Sequence, residues 1–301
     1  MKKLLLSAFV ICLAGTSIAQ ESPLWMRHCA LSPDGTTIAF TYKGDIYTVP
    51  STGGRATQIT TNPAFDTEPV WSPDSKQIAF ASDRMGSLDV FVVSSEGGAP
   101  QRLTTHSGSE KPVAYKDNKH ILFTANIAPS AEDAGFPSGQ FQQVYEVAVT
   151  GGRPAMFSSM PMECISINKE GVMLYQDKKG YEDYWRKHQV SPIARDIWTY
   201  TPGKKPVYQK QTTFGGEDRE PVWSPDGKSF YYLSEEKGSF NIFQRTPGTT
   251  TSQQITFHTK HPVRFLSIST TGTLCYGYDG EIYTLVPGKQ PQKVNISILA
   301  D

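Results

Sequence analysis

From residue 27 onward, short apolar runs alternate with polar, turn-forming stretches, and the alternation repeats along the chain. The apolar runs are Ile38-Ala39-Phe40, Ile78-Ala79-Phe80, Ile121-Leu122-Phe123, Val172-Met173-Leu174-Tyr175, Phe230-Tyr231-Tyr232-Leu233 and Leu274-Cys275-Tyr276. Each follows a turn signal. Ser32-Pro33-Asp34-Gly35, Ser72-Pro73-Asp74-Ser75 and Ser224-Pro225-Asp226-Gly227 are near-identical; weaker forms sit at Tyr115-Lys116-Asp117-Asn118, Asn168-Lys169-Glu170-Gly171 and Ser269-Thr270-Thr271-Gly272. A third run then alternates polar, β-branched and aromatic residues with the period of two of a strand, as in Asp45-Ile46-Tyr47, Asp89-Val90-Phe91, Gln143-Val144-Tyr145, Asp196-Ile197-Trp198, Asn241-Ile242-Phe243 and Glu281-Ile282-Tyr283. Each copy turns again at Gly53-Gly54, Gly97-Gly98, Gly151-Gly152, Pro202-Gly203, Pro247-Gly248 or Pro287-Gly288, and ends in a polar strand such as Gln58-Ile59-Thr60.

The aligned turn residues Asp34, Asp74, Asp117, Glu170, Asp226 and Thr271 are spaced by 40, 43, 53, 56 and 45 residues. Four short strands per repeat, with no run that reads as a helix longer than a turn or two, predict an all-β fold: a six-bladed β-propeller of four-stranded antiparallel blades. The blades are expected near 27–61, 67–106, 110–160, 162–214, 219–258 and 261–298, within a domain of residues 20–301. Because every copy supplies its strands in phase, the ring is expected to have an open seam, with the first and last blades meeting by side-chain packing and no shared closing strand. Asp34, Asp74 and Asp226 read as turn-builders, and Trp71 and Trp223 as core between blades.

Composition narrows the functional classes. Lys+Arg 29 against Asp+Glu 29 leaves no charge imbalance to attract nucleic acid or anionic lipid. Met1-Lys2-Lys3, the apolar run Leu4 to Ala14 and Ser17-Ile18-Ala19 form a secretory signal peptide over 1–19; the run is too short for a span, which needs about 20 apolar residues. The mature chain is therefore expected to be exported, periplasmic or otherwise extracytoplasmic. Cys12, Cys29, Cys164 and Cys275 include no C-x-x-C pair and are too few for a disulfide scaffold. The three that follow the leader, an odd number, leave at least one thiol unpaired, and read as buried and inert.

Chain direction alternates within a blade, so the loops between second and third strands share one face with the blade-to-blade junctions. On this junction face two insertions fall in neighbouring blades, Asn126 to Gln140 and Gln176 to Arg195. The second gathers Tyr181, Tyr184, Trp185, Arg186, Lys187, His188 and Arg195, aromatic and basic groups suited to a peptide or partner domain, or to pinning the loop onto the propeller. Glu68, Glu110 and Glu220 open the first strand of three blades, where they either line the mouth of the central channel or accept hydrogen bonds from nearby backbone. His258 and His261 form an H-x-x-H that does not converge on a metal outside a helix. The chain contains no G-x-S-x-G, H-E-x-x-H, G-x-x-x-x-G-K-[ST] or G-x-G-x-x-G, and no catalytic residue, metal or cofactor is assigned.

The unit Glu-Pro-Val-Trp-Ser-Pro-Asp at Glu68 to Asp74 and Glu220 to Asp226, followed by Ile-Ala-Phe, Asp-Ile-Tyr, Gly-Gly and Leu-Thr, resembles the TolB-like propeller repeat. With Tyr181 to His188, Ala194 to Trp198 and Gly280 to Tyr283, the whole resembles more closely the N-terminal six-bladed propeller of tricorn-type proteases. That resemblance implies a second, seven-bladed propeller, a PDZ module and a serine-protease part elsewhere in the protein, none of which fits these residues. It also implies passage of peptides through the channel, with basic residues holding a peptide C-terminus; no equivalent Arg pair is found here. The function expected is a non-catalytic propeller domain of an exported tricorn-like serine peptidase, a channelled scaffold and gate for peptides. The alternative is a freestanding TolB-like periplasmic propeller that binds a partner protein; a propeller enzyme using channel carboxylates ranks third. Partners are peptides or protein, and self-association into a homo-oligomer is left open.

Overall fold

The computed structural model describes residues 23–127, 141–180 and 190–299. The leader, 1–19, lies outside them. Six four-stranded antiparallel sheets follow one another, each drawn in order from its own stretch of chain, inner strand to outer. Blade one is Arg27–Leu31, Thr37–Tyr42, Asp45–Pro50 and Thr57–Gln58; blade two is Asp66–Trp71, Gln77–Ser82, Asp89–Ser94 and Gln101–Arg102. Blade three is Lys111–Asp117, His120–Ala125, Gln143–Ala148 and Ala155–Ser158; blade four is Met162–Ile167, Met173–Asp177, Ile197–Thr201 and Val207–Lys210. Blade five is Asp218–Trp223, Phe230–Ser234, Asn241–Arg245 and Ser252–Gln254; blade six is Arg264–Ile268, Leu274–Tyr278, Glu281–Leu285 and Gln292–Lys293. Neighbouring inner strands touch all the way round, including blade six against blade one.

The repeated residues have repeated physical jobs. In the turn after the first strand, the Ser32, Ser72 and Ser224 hydroxyls donate to Asp34, Asp74 and Asp226 at 2.5, 2.7 and 2.6 Å, and accept from the Thr37, Gln77 and Ser229 backbone at 3.0, 2.9 and 3.0 Å. These serine bonds, with backbone N–H groups two residues on, hold the three carboxyls below their ordinary range. The fourth turn position has positive φ: 78° at Gly35, 60° at Ser75 and 67° at Gly227. The turns also bond to one another, Asp34 N to Ser75 Oγ and Asp74 N to Asn118 Oδ1, both at 3.1 Å.

In every blade the aromatic of the second strand lies directly opposite that of the third: Phe40 and Tyr47, Phe80 and Phe91, Phe123 and Tyr145, Tyr175 and Trp198, Tyr232 and Phe243, Tyr276 and Tyr283. Ring centroids in the first three pairs are 5.8 Å apart, the spacing at which offset aromatic rings attract. A threonine that closes the outer strand in four of the six blades explains another repeated signal. Thr60, Thr104, Thr212 and Thr256 accept the N–H of Ile46, Val90, Ile197 and Ile242, each at 2.9 Å. Thr60 and Thr256 also donate to the polar residue that opens the third strand, Asp45 at 3.1 Å and Asn241 at 3.0 Å. Trp71 and Trp223 are buried, and their indole N–H groups bond to the preceding blade, at Ala30 O (2.8 Å) and Val172 O (3.1 Å).

Among the described residues no sheet is closed by a shared strand. The chain end nevertheless adds main-chain bonds at the seam. Ile296–Ser297 runs parallel to Gly54–Arg55, outside blade one, with Gly54 N donating to Asn295 O and Ala56 N to Ser297 O, both at 2.8 Å. Toward the axis, Met26 N donates to Gly280 O at 3.1 Å and Leu31 N to Ser267 Oγ at 3.0 Å.

Candidate functional site

Each inner strand breaks register at the same place. Three residues before the strand's last core residue, His28, Glu68, Cys164, Glu220 and Phe265 have φ of 51°, 55°, 51°, 50° and 59°. In blade three this position is Pro112, whose ring forbids positive φ. Left-handed backbone at a non-glycine residue costs on the order of 1 kcal/mol, so a left-handed residue at five of the six equivalent bulges is a built feature of the ring. The bulge residues meet their neighbours in adjacent blades. His28 packs on Phe265 with ring centroids 4.7 Å apart, Glu68 pairs with Lys111 at 2.6 Å, and Glu220 Oε2 accepts from Leu266 N at 2.8 Å. Burial pushes the Cys164 thiol well above the usual range, helped by the Glu220, Glu163 and Glu68 carboxylates. Burial likewise lowers His28 to about 4, against the pull of Glu68.

Two of the three candidate glutamates therefore belong to this ring and one does not. Glu110, two residues earlier in register, aligns with Asp66 and Asp218, not with Glu68 and Glu220. It is 1% exposed, accepts from His106 N at 3.4 Å, and burial raises its carboxyl despite the Thr104 hydroxyl. Its partners are local, so it serves the blade junction. Asp66 in the same register takes two bonds from Arg84, and Asp218 is raised to about 7 by burial.

Of the blade-four loop, Tyr181, Tyr184, Trp185, Arg186, Lys187 and His188 lie outside the described residues. Arg195 is described, and it is 5% exposed. Its guanidinium bridges Glu163 at 3.2 Å and Glu217 at 3.3 Å, and Glu217 goes on to Arg219 at 2.8 Å. Gln176 donates to Glu163 at 3.0 Å and accepts from Glu220 N at 2.9 Å, tying this network to the axial ring. Although burial acts the other way, Arg195 and Lys178 hold the Glu163 carboxyl below its ordinary value. Beside it, Asp196 binds Lys179 and Lys210, and Asp177 accepts from Trp198 Nε1 at 2.9 Å. Arg195 thus clasps the base of the loop from inside and does not present its charge to solvent.

His258 and His261 diverge. His258 stacks on Tyr278 at 3.8 Å and bonds the Tyr276 hydroxyl at 3.0 Å, while His261 faces Asp279 at 3.3 Å. Among the described residues no three His, Cys, Asp or Glu side chains gather as a metal site requires.

The two faces of the ring differ in exposed apolar surface. Leu24, Trp25, Phe65, Met85, Phe141, Met160, Val190 and Phe257 all project from junction-face segments; Trp25, Val190 and Phe257 are 71, 77 and 73% exposed. Of the exposed large apolar side chains among the described residues, only Val286 sits in a turn of the opposite face. Such residues lack periodicity along the chain, so only the alternation of strand direction, applied to every loop, could have collected them from the sequence.

Comparison with known proteins agrees with this architecture. Residues 23–291 match the family described as the tricorn protease N-terminal beta propeller domain. Tricorn protease homolog 1 of Streptomyces coelicolor is 24% identical over 275 residues, covering 88% of this chain and 24% of that protein. The crystal structure of the tricorn protease superposes with a TM-score of 0.77 at 17% identity, over 93% of this chain and 27% of that one. TolB from Acinetobacter baumannii is similar in fold, with a TM-score of 0.63 at 14% identity, over 91% of this chain and 66% of that one. The chain spans about a quarter of the length of the tricorn relatives it matches. It belongs to the family of tricorn protease N-terminal β-propeller domains.

Proposed function

We propose that this propeller is the non-catalytic scaffold and peptide gate of an exported tricorn-like serine peptidase, and that its junction face docks the catalytic part of that protein. The observation that carries the reading is the apolar asymmetry between faces, with Trp25, Phe65, Met85, Val190 and Phe257 gathered on one side of the ring. An occupant from the same protein is supported by the length of the tricorn relatives, of which this ring corresponds to about a quarter. The partly exposed Glu68–Lys111 ion pair near the axis supports contact with the polar backbone and termini of a passing peptide. Export rests on the leader-like stretch 1–19.

The same face also suits a freestanding TolB-like periplasmic propeller that binds a separate protein, a reading supported by the fold likeness to TolB. Reading the gene beyond codon 301 separates the two. An in-frame second propeller with PDZ and serine-protease segments is the outcome expected, and a stop codon turns the assignment to the partner-binding alternative. Within the first reading, Met85→Glu with Phe257→Glu should abolish co-elution of the propeller with the separately expressed remainder while leaving its circular dichroism unchanged. Undiminished co-elution would remove the docking role.

A further inference from the structure

The first and last blades hold a cysteine pair between them. Cys29, on the inner strand of blade one, and Cys275, on the second strand of blade six, are 4% and 0% exposed and belong to one apolar cluster with Met26, Phe40, Ile282 and Val294. The inner strand of blade one packs directly against the second strand of blade six, which carries Cys275. The Cys29 thiol also donates to Phe265 O, the carbonyl of the bulge residue of blade six, at 3.5 Å. The two backbones are tied through Ser267, the register partner of Cys275, whose hydroxyl accepts from Leu31 N at 3.0 Å and donates to Cys275 O at 3.5 Å. Strands on both sides of the seam therefore hold the two cysteines in one shared apolar space. Cys164, on the inner strand of blade four, lies in neither strand of the seam.

We propose that Cys29 and Cys275 are a site of covalent modification, a disulfide that joins blade six to blade one, formed by exchange with a small-molecule or protein disulfide such as oxidised glutathione. One cysteine thiolate attacks a sulfur of glutathione disulfide and releases one glutathione thiolate. The second cysteine thiolate attacks the resulting mixed disulfide and releases the other. One S–S bond breaks and one forms; the two cysteine sulfurs lose two electrons, the glutathione pair gains them, and the two thiol protons end on the released glutathione. Burial, followed by the Cys275 contact, pushes the Cys29 thiol well above the usual range, so the closed ring exchanges slowly. The bond forms while the seam is open, as the last blade docks on the first. Once made, it closes a loop running almost the whole way round the ring, the geometry in which a cross-link restricts the unfolded chain most. It supplements the short pairing of Ile296–Ser297 with Gly54–Arg55.

The test is refolding of the full chain from reduced, denatured protein in a glutathione buffer dominated by the oxidised form, followed by alkylation of remaining thiols and peptide mass mapping. A linked Cys29–Cys275 peptide is expected, with Cys164 alkylated, and an unfolding temperature about 10 °C above that of the same protein refolded in reductant. Cys29→Ala with Cys275→Ala should show no difference between the two buffers, whereas Cys164→Ala should keep it. Alkylation of both Cys29 and Cys275 in the oxidised sample, pairing of either with Cys164, or a link that lowers the unfolding temperature overturns the proposal. The mass map on unaltered protein decides it even if the double variant does not fold.

Discussion

A methyl group on Gly53 would lie 2.6 Å from the carbonyl oxygen of Asn295, closer than any side chain tolerates. Gly53 has a φ of 91° and sits where the turn of blade one receives the C-terminal segment. Gly97, at the same turn of blade two, has a φ of 88° and nothing within 4 Å of an added Cβ. Gly53→Ala and Gly97→Ala therefore share the strain of a left-handed alanine, about 1 kcal/mol, but only the first also displaces the tail. Chemical denaturation should find Gly53→Ala the more destabilised, and hydrogen exchange should show faster exchange of the Gly54 and Ala56 amides in it alone. Equal losses in the two variants would mean that the tail contributes nothing to the seam.

The threonine that closes an outer strand is buried and twice bonded in blade five, where Thr256 accepts from Ile242 N at 2.9 Å and donates to Asn241 Oδ1 at 3.0 Å. Thr256→Val keeps the shape and strands a buried N–H, which should cost about 1–3 kcal/mol in denaturant unfolding. Thr104→Val, which breaks the equivalent bond to Val90 N, should cost a similar amount.

Removing the Arg195 guanidinium leaves Glu163 and Glu217 facing one another without their shared cation. Breaking a buried pair in this way costs about 3–5 kcal/mol, so Arg195→Ala should be strongly destabilised, with early proteolytic cleavage between residues 178 and 196. Arg195→Lys, which lacks the planar fork, should recover only part of the loss. An Arg195→Ala variant of normal stability with impaired peptide or partner binding would instead restore a recognition role to this residue.

Two buried groups should push the pH dependence of stability in opposite directions. Asp218 titrates near 7 in the fold and near 4 when unfolded, so between those values the native state holds the extra proton and stability falls as pH rises. His28 titrates near 4 in the fold and near 6.5 when unfolded, so in that window the unfolded state holds the extra proton and stability falls as pH drops. Relative to wild type, Asp218→Asn should gain several degrees in unfolding temperature as pH rises from 4 to 7. His28→Gln should gain relative to wild type as pH falls from 6.5 to 4. Differences that stay constant across these windows would show that neither group titrates as its burial dictates.

What could be read along the chain is what repeats locally. Ser32, Pro33 and Asp34 build a turn from their own hydroxyl, ring and carboxylate, and Phe40 meets Tyr47 because a short hairpin leaves no other register. Such features need only neighbours in sequence, so blade number, strand order and turn chemistry were legible from residue types and spacing. The axial bulges were not: Glu68 and Glu220 were visible as carboxylates, but their alignment with His28, Cys164 and Phe265, and the displacement of Glu110 from that ring, depend on strand registers that residue identity does not encode. Arg195 looked like a surface cation because its glutamates lie in other strands, and only the docking of blade five on blade four brings Glu217 to it. Cys29, Gly53, Cys275 and Asn295 come from opposite ends of the chain and meet because the ring closes. Local backbone and side-chain preferences determined the repeating unit, and packing of the units around one axis decided which distant side chains share a buried, low-dielectric space.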